Sequence, residues 1–170
     1  MFENLKNDLK AHGGHWDAQG FWVLVVYRFG RWRYGIRFSP LRKICSLIYK
    51  ILFKLIQIIT GIELPSEAEI GRNFVIDHFG GIIISGYTKF GDNCRIRNGV
   101  VIGLQHVSQP CAPVIGNNVD IGAGAKVLGA ITIGNNVMIG ANAVVITDVP
   151  DNSTAVGIPA VAKIRLTANA

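Results

Sequence analysis

The amino-acid sequence predicts a short, basic and amphipathic α-helical N-terminal segment followed by an all-β domain, a left-handed parallel β-helix. Three observations support this prediction. A six-residue repeat fills the last two thirds of the chain, almost all of the excess positive charge precedes that repeat, and an amphipathic helix is predicted directly before it. With 170 residues the chain has room for one compact domain and a modest extension. We expect the helical segment over residues 1–62, the β-helix over residues 63–162 and a tail over residues 163–170.

Charge and composition narrow the class of protein. The net charge is +6, but residues 1–62 carry ten Lys and Arg against three acidic residues, whereas residues 63–170 carry seven against eight. With 49% hydrophobic and only 16% charged residues, the composition excludes a disordered chain. No apolar run reaches the roughly 20 residues of a membrane-spanning helix, and no secretory leader is expected. Three cysteines without a Cys-x-x-Cys pair favour a reducing, cytoplasmic location.

The N-terminal segment contains a predicted amphipathic helix over residues 41–59, with Pro40 at its start and Ser39 as its N-cap. Its polar side chains share an arc of roughly 120°, and the rest of its circumference is apolar. Such a wide apolar face can pack on the end of the β-helix or on other copies of the chain. Peripheral contact of residues 21–59 with the inner face of the cell membrane is an alternative that can coexist with this packing.

The repeat consists of large apolar residues that recur in one six-residue phase. A period of six matches neither an α-helix nor a strand, but it fits a short strand and a turn that stack coil on coil, with three repeats in each coil. The large residue fills the interior, a small or β-branched residue packs beside it, and Gly or Asn permits the turn. The thirteen positions are Leu64, Ile70, Ile76, Ile84, Phe90, Ile96, Ile102, Ile115, Ile121, Val127, Ile133, Ile139 and Val145.

The repeat is interrupted twice, and interruptions of a repeat are where functional residues tend to lie. The spacing is eight between Ile76 and Ile84, so two extra residues stand within residues 77–81. The second interruption leaves an extruded loop over residues 104–112. His78 stands in the first interruption, and an imidazole is a suitable general base for a substrate hydroxyl.

Residues 60–165 resemble the serine acetyltransferase family of hexapeptide-repeat enzymes. The resemblance is carried by the strings AEIG, IDHFGGIIISG, APVIGNNVDIGAGAKVLG, IGANAVV and VPDNSTAVGIPA. It implies acetyl transfer from acetyl-CoA, with His78 as the catalytic base and Glu63, where the family has aspartate, as the acid that orients it. It also implies that Asp77 holds the acceptor and that Ala123 and Ala141 line the acetyl-CoA groove.

Five further residues are candidates for the same site. Gln105 and His106, in the extruded loop, are expected to contact the acceptor. Gly103 and Leu104 are expected at the acetyl-CoA site, where a backbone N–H would stabilise the oxyanion, and Lys163 is a further acetyl-CoA contact.

One departure from the family concerns the acceptor. Serine acetyltransferases have an Arg-His-Pro string that holds a carboxylate, and this chain has Cys111-Ala112-Pro113 there. Losing that cation removes a charge-assisted hydrogen bond, worth about 1.5–3 kcal/mol. The chain is more similar to the exopolysaccharide branch of the family, the colanic acid-type acetyltransferases. That similarity implies O-acetylation of a small-molecule or lipid-linked glycan acceptor, because a sugar hydroxyl needs no carboxylate clamp. Serine O-acetylation is the alternative, and a non-catalytic β-helix scaffold is a second one.

Other chemistries and partners follow from the remaining residues. A γ-class carbonic anhydrase needs three histidine ligands, but only His78 and His106 stand in the repeat, so no metal is expected. Cys111 is a candidate acyl-enzyme nucleophile, and Cys94 occupies a core position. Nucleic acid is not an expected partner, because the aromatic residues of the basic segment stand among aliphatic ones. The resemblance implies a homotrimer, or a multiple of trimers, with active sites between protomers.

Overall fold

The structure, a computed structural model, describes residues 2–106, 108 and 110–165. An N-terminal helical region comes first and a parallel β-helix follows it. The helices are α1 (Phe2–Ala11), α2 (Gln19–Trp32) and α3 (Ser39–Thr60), and a 3₁₀ turn spans Arg33–Gly35. The strands are β1 (Ile62–Glu63), β2 (Glu69–Ile70), β3 (Val75–Asp77), β4 (Ile82–Ile84), β5 (Lys89–Phe90), β6 (Arg95–Arg97), β7 (Val101–Gly103), β8 (Val114–Ile115), β9 (Asp120–Ile121), β10 (Lys126–Leu128), β11 (Thr132–Ile133), β12 (Met138–Ile139), β13 (Val144–Val145), β14 (Ser153–Gly157) and β15 (Ala160–Ile164).

The strands form the three faces of a prism of about five coils. Sheet A has the order β1-β4-β7-β10-β13, sheet B the order β11-β8-β5-β2, and sheet C the order β15-β14-β12-β9-β6-β3. All pairs are parallel except β14 and β15, which form an antiparallel hairpin. The predicted parallel β-helix is confirmed, and all thirteen in-phase residues are buried.

Asparagine side chains connect the coils along the edge between sheets B and C. Asn73, Asn93, Asn118, Asn136 and Asn152 all have φ between 56° and 59°. The side-chain amides of the first four donate to the amide oxygen of the asparagine one coil further along, at 2.8–3.1 Å. Asparagine tolerates a positive φ and can hydrogen-bond locally, so the turn and the stacking of coils have the same cause.

The helical region closes the first coil. Tyr27 of α2 is buried, and its hydroxyl donates to the carbonyl of Ala68 at 2.8 Å and accepts from the N–H of Ile70 at 3.0 Å. Asp8 of α1 and Arg28 of α2 form a fully buried ion pair with an Nε to Oδ2 distance of 2.9 Å. The first two helices are therefore part of the folded core and do not form a separate arm.

The structure corrects the start of the predicted helix and its N-cap. Helix α3 covers Ser39–Thr60 and so begins two residues before the predicted start. Its N-cap is Phe38, without a side-chain hydrogen bond, and Ser39 lies inside the helix because Pro40 already has the helical φ of the first turn. Near the C-terminus, β15 continues to Ile164, because Ile164 pairs with Ser153 across the final hairpin. The rest of the expected tail, residues 166–170, lies outside the described residues.

Candidate active site

The turn between β3 and β4 is longer than the equivalent turn in the next coil. Asp77 pairs with Arg97, and the N–H of Gly99 donates to the carbonyl of Gly80 at 2.9 Å. The two residues between these contacts, His78 and Phe79, have no counterpart in the next coil. The predicted insertion is thus confirmed, and it consists of a histidine and a phenylalanine that project from the prism.

His78 is exposed and has a φ of 64°. Left-handed backbone is uncommon for a residue other than glycine, and such conformations concentrate at functional sites. Gly80 and Gly81 follow with φ of 101° and 67°, which lets the chain return to sheet A directly after the bulge. Three of the four residues 78–81 therefore have positive φ, in a turn that presents one imidazole to solvent.

His78 and the two predicted groove alanines lie along one edge of the prism, between sheets C and A. The turns of this edge are 78–81, 98–100, 122–125 and 140–143 in successive coils. Backbone hydrogen bonds connect them, including Gly124 N–H to the Asn98 carbonyl and Asn142 N–H to the Ala123 carbonyl. With neighbouring strands about 4.8 Å apart, three coils place Ala141 roughly 14 Å along the edge from His78.

This edge has little side-chain bulk where a ligand would lie against it. A Cβ on Gly122 would lie 2.5 Å from the backbone nitrogen of Ala141, so only glycine allows this turn to stack on the next one. Ala123 is half-buried and Ala141 is exposed. A thin polyamide chain could therefore run close to the backbone here, which is what the resemblance implies for the pantetheine arm.

Asp77 lies next to His78 at the centre of a charged cluster on sheet C. Its Oδ2 accepts a hydrogen bond from Arg95 Nη1 at 2.7 Å, and Arg97 Nε is 3.9 Å from the same oxygen. Arg97 also forms an ion pair with Asp120, which raises the pKa of the Arg97 guanidinium. These contacts orient the Asp77 carboxylate and place two cations next to it, directly before the turn that carries His78.

The loop between α1 and α2 forms the opposite wall of a cleft that contains both Asp77 and His78. The cleft has a volume of about 620 Å³ and is lined by residues 11–13, 15, 17–20, 75–78 and 95. That volume is in the range of small-molecule sites. Its ionisable groups other than Asp77 and His78 are His12, His15, Asp17 and Arg95. A second cleft of about 480 Å³ beside Tyr27 and Trp32 lies away from this chemistry.

Two contacts fix that loop against the strand that leads to His78. His12 Nε2 accepts the backbone N–H of Ile76 at 3.3 Å, and its Nδ1 is 2.7 Å from the carbonyl of Asp8, so the proton is assigned to Nδ1. Gly20 brings the start of α2 onto β3, since a Cβ there would lie 2.2 Å from the carbonyl oxygen of Ile76. The N-terminal helical region therefore shapes the cleft directly.

Glu63 lies on β1, paired with Ile83, on the strand pair that follows the His78 turn. Gly61 is packed against Gly80, because a Cβ on Gly61 would lie only 3.3 Å from the Cα of Gly80. The Glu63 carboxylate accepts a hydrogen bond from Gln57 Nε2 at 2.9 Å. No hydrogen bond joins Glu63 to His78 among the residues that the structure describes. The expected acid–histidine hydrogen bond is therefore not formed here, and the observed partner of the Glu63 carboxylate is Gln57 of α3.

The other predicted residues lie at a different edge of the same chain. Gly103 ends β7 and Leu104 follows it, at the edge between sheets A and B and at the opposite end of the sheet A strands from His78. Gln105 lies over Gly129, because a Cβ on Gly129 would be 3.1 Å from Oε1 of Gln105. His106 follows Gln105 in the chain. One chain therefore does not bring Gly103, Leu104, Gln105 and His106 to His78, because a strand of sheet A separates the two edges.

Three further candidates are placed by the fold. Lys163 is exposed on the last strand of sheet C, opposite Thr154, and stands away from the edge that carries Ala141. Cys111 is exposed, whereas Cys94 is buried and burial raises the pKa of its thiol to about 11, so it packs as a core residue. Within residues 2–106, 108 and 110–165 no cluster of three or more His, Cys, Asp or Glu could hold a metal ion.

Sequence reasoning missed the side of the cleft that the helical region supplies. His12, His15, Asp17 and Arg95 were not candidates, because none of them stands in an interruption of the repeat. A usable signal was the HGGHWDAQG string at residues 12–20, since two adjacent glycines and a third at a helix start indicate a tight turn and a close approach.

Comparison with known proteins places this geometry in a family. Residues 112–147 match the model for the bacterial transferase hexapeptide (six repeats). The serine acetyltransferase of Helicobacter pylori J99 is 43% identical over 142 residues, which cover 83% of this chain and 79% of that protein. The serine acetyltransferase of Synechococcus elongatus is 42% identical over 82% of this chain, and the match spans only 55% of its length. The Escherichia coli K12 protein named colanic acid biosynthesis acetyltransferase WcaB is 35% identical over 92% of this chain and 97% of its own.

A solved structure agrees with these relatives. Serine acetyltransferase from Brucella abortus S19 in complex with coenzyme A superposes with a TM-score of 0.81 at 27% identity, over 97% of this chain and 69% of that one. The agreement extends over the helical region as well as the β-helix. The chain belongs to the serine acetyltransferase-like family of bacterial hexapeptide-repeat acyltransferases.

Proposed function

We propose that the chain transfers the acetyl group of acetyl-CoA to a hydroxyl group of a sugar in a polysaccharide or glycan precursor. The observation that carries the proposal is the His78 turn, which presents an exposed imidazole between a cleft and the edge that bears Ala123 and Ala141. An acceptor in the cleft and a thioester along the edge would meet at this imidazole. The coenzyme A-bound Brucella abortus structure supports the choice of co-substrate.

The reaction we propose is direct transfer with His78 as the general base. His78 takes the proton of the acceptor hydroxyl while the acceptor oxygen attacks the thioester carbonyl, and it returns the proton to the departing thiolate. Acetyl-CoA supplies the activated acyl group. Glu63 would stabilise the imidazolium once its side chain turns from Gln57 to His78. Asp77, which is bonded to Arg95, would accept a hydrogen bond from a second hydroxyl group of the sugar. A backbone N–H near Gly103 would stabilise the oxyanion.

This mechanism calls for more than one copy of the chain. Gly103, Leu104, Gln105 and His106 lie at the edge of the prism opposite His78, so a neighbouring protomer must present its own copy of that edge. We propose a homotrimer, or a multiple of trimers, with each site between two protomers. Lys163 of one protomer would then contact the acetyl-CoA of a site whose base, His78, belongs to the neighbouring protomer. The protein would act in the cytoplasm, with peripheral contact at the inner membrane face.

The acceptor is the finer part of the proposal. The relative WcaB matches nearly its whole length to this chain, and the Cys111-Ala112-Pro113 string lacks the cation of a carboxylate site. L-serine remains the second candidate, because Arg95 lines the cleft and its guanidinium could bind a carboxylate. The structure thus supplies a cation that the sequence string alone does not predict, although Arg95 is already paired with Asp77.

A panel of acceptors distinguishes the candidates. Release of coenzyme A thiol is measured with full-length protein, acetyl-CoA and either L-serine, nucleotide-linked sugars or lipid-linked glycan precursors. The proposal expects turnover with a glycan precursor at least tenfold above that with L-serine. Turnover with L-serine alone would make serine O-acetylation the function. If coenzyme A does not bind at all in a calorimetric titration, the chain is a non-catalytic scaffold.

The groove is tested by a bulky residue at its exposed end. Ala141→Phe should weaken coenzyme A binding at least tenfold, because a benzyl group at this edge blocks the line along which the pantetheine arm would lie. Thr132→Phe is the matched control, since Thr132 is also exposed but lies on sheet B. Equal affinities in the two variants would place the co-substrate elsewhere.

A further inference from the structure

Helix α3 presents a wide apolar surface to solvent. Nine aliphatic side chains with exposed fractions between 38% and 73% line one side of the helix, and we call this side the outer face. At 100° per residue they span roughly 140° of the circumference, and they run from position 41 to position 59 of the helix. They are Leu41, Ile44, Leu47, Ile48, Ile51, Leu52, Leu55, Ile58 and Ile59.

The opposite side of α3 is fixed to the protein, so the outer face cannot rotate inward. Cys45 and Tyr49 are buried there. The Tyr49 hydroxyl accepts the backbone N–H of Ser66 at 2.8 Å, and the guanidinium of Arg33 lies 4.3 Å from the ring centroid. The prediction that the apolar residues pack on the end of the β-helix therefore holds for one side of the helix only.

The charged side chains of α3 itself have one sign, and the carboxylates of Glu63 and Glu67 accept hydrogen bonds from Gln57 and Tyr34. Residues 18–62 contain eight Lys and Arg and no acidic residue. Arg42, Lys43, Lys50 and Lys54 form an exposed basic side that borders the outer face. Aromatic residues stand at the beginning of the helix, where Phe38 is 67% and Tyr34 50% exposed.

We propose that the outer face of α3 docks on an anionic lipid surface with the helix axis parallel to the membrane plane. A strongly amphipathic helix with Lys and Arg beside an aliphatic face, and aromatic residues at its end, has the composition that binds in the headgroup region. The basic side would contact lipid phosphates while the aliphatic side chains enter the acyl boundary. No helix among the described residues is long and apolar enough to cross a membrane.

Charge complementarity favours lipid over a second copy of the same face. In a symmetric contact between two outer faces, the basic side of one helix would lie beside that of the other. Helix α3 itself has no carboxylate to separate these charges, the Glu63 carboxylate beside it is bonded to Gln57, and like charges across an interface weaken it. An anionic lipid surface meets the same cations with opposite charge.

The proposed docking surface ends close to the candidate active site. Helix α3 terminates at Gly61, whose φ of 64° makes it the left-handed cap, and Gly61 packs on Gly80 of the His78 turn. A docked helix would hold that turn near the lipid surface, within reach of an acceptor embedded there. The docking itself does not rest on the proposed chemistry, so either can fail without the other.

Vesicle co-sedimentation of the full-length protein tests the inference. The probes are phosphatidylcholine vesicles and vesicles with 30% phosphatidylglycerol, at 0.1 M and 0.5 M salt. We expect partition at least tenfold stronger with the anionic vesicles, and weaker at the higher salt. Lys50→Gln with Lys54→Gln should lower it by roughly fivefold per lysine. A triple change of the outer face, Ile51→Gln, Leu55→Gln and Ile58→Gln, should lower it at least tenfold.

A second triple change serves as control, because it also replaces three exposed aliphatic residues by glutamine, but on the β-helix: Val114→Gln, Val156→Gln and Ile158→Gln. It should partition like the unaltered protein, and circular dichroism and thermal melts should show both triples folded. The inference is overturned if the unaltered protein does not partition, or if the two triples partition alike. It is also overturned if the outer-face triple lowers the molar mass of the oligomer and leaves lipid binding unchanged, since the face would then be an interface between copies.

Discussion

Gly20→Ala tests how closely the helical region is packed against the strand that carries the candidate base. The built Cβ lies 2.2 Å from the carbonyl oxygen and 2.8 Å from the Cβ of Ile76. Real Cβ atoms stay at least about 3.0 Å away from such atoms, so α2 and β3 must separate by roughly 1 Å. Overpacking of this kind costs about 1–3 kcal/mol, which corresponds to a lower melting temperature by roughly 2–9 °C in a chain of this size.

The functional effect follows from the same displacement. The α1–α2 loop forms one wall of the cleft at His78, so a shift of about 1 Å misplaces an acceptor and can reduce acetyl transfer about 10²-fold. Coenzyme A binding should stay unchanged, because the edge with Ala123 and Ala141 does not touch α2. The assays are thermal melts, acceptor-dependent thiol release and coenzyme A titration.

Gly35→Ala is the matched control for this change. A Cβ on Gly35 meets no atom within 4 Å, and its φ is not in the left-handed range. It should keep the melting temperature and the turnover of the unaltered protein. If Gly20→Ala melts like Gly35→Ala, the close packing of α2 on β3 is wrong. If Gly20→Ala loses stability but keeps its KM for the acceptor, the α1–α2 loop is not part of the acceptor site.

The remaining predictions concern the base, the cysteines and the assembly. His78→Ala should lower turnover about 10²–10⁴-fold and retain the affinity for coenzyme A. Glu63→Gln should lower turnover less, because it leaves the base in place. If His106→Ala is inactive and His78→Ala is active in the same thiol assay, His106 is the base instead. At pH 8 a maleimide should label exposed Cys111 within minutes and Cys94 only after unfolding, because burial raises the pKa of the Cys94 thiol to about 11. Mass spectrometry of the native protein measures the labelling, and early labelling of Cys94 would contradict this prediction. Light scattering at micromolar concentration should give the mass of a trimer or a multiple of it, and a monomer would refute sites shared between protomers.

The β-helix could be predicted from sequence because each of its coils repeats the same pattern of a buried apolar residue followed by a turn. Ile96, Ile121 and Ile139 stack in sheet C with exposures of 0–3%, and each is separated from the next by a whole coil of the repeat. A period of six is a direct consequence of that stacking, so it is visible without any structure. The insertion that presents His78 could be found for the same reason, since it breaks a regular spacing.

The rest of the site could not be read from the repeat, because contacts distant in sequence create it. The cleft depends on His12 meeting Ile76 across 64 residues and on Gly20 meeting the same strand. Neither contact has a period or a motif. The hydrogen bond that the structure does show for Glu63, from Gln57 of α3, is likewise a contact that the period does not specify.

A buried ion pair explains how a short helical region can hold one wall of the cleft. Arg28 donates to both carboxylate oxygens of Asp8 and to the carbonyls of Ile70 and Gly71, at 2.6–3.2 Å, and both side chains are at most 5% exposed. Replacing only one partner of such a pair costs about 3–5 kcal/mol, because an uncompensated charge stays buried. The Asp8 carbonyl in turn accepts the hydrogen bond of His12, the first residue of the loop. The wall of the cleft is therefore attached to the first coil through α1, and the proposed acceptor site depends on the helix that lies furthest from the repeat in sequence.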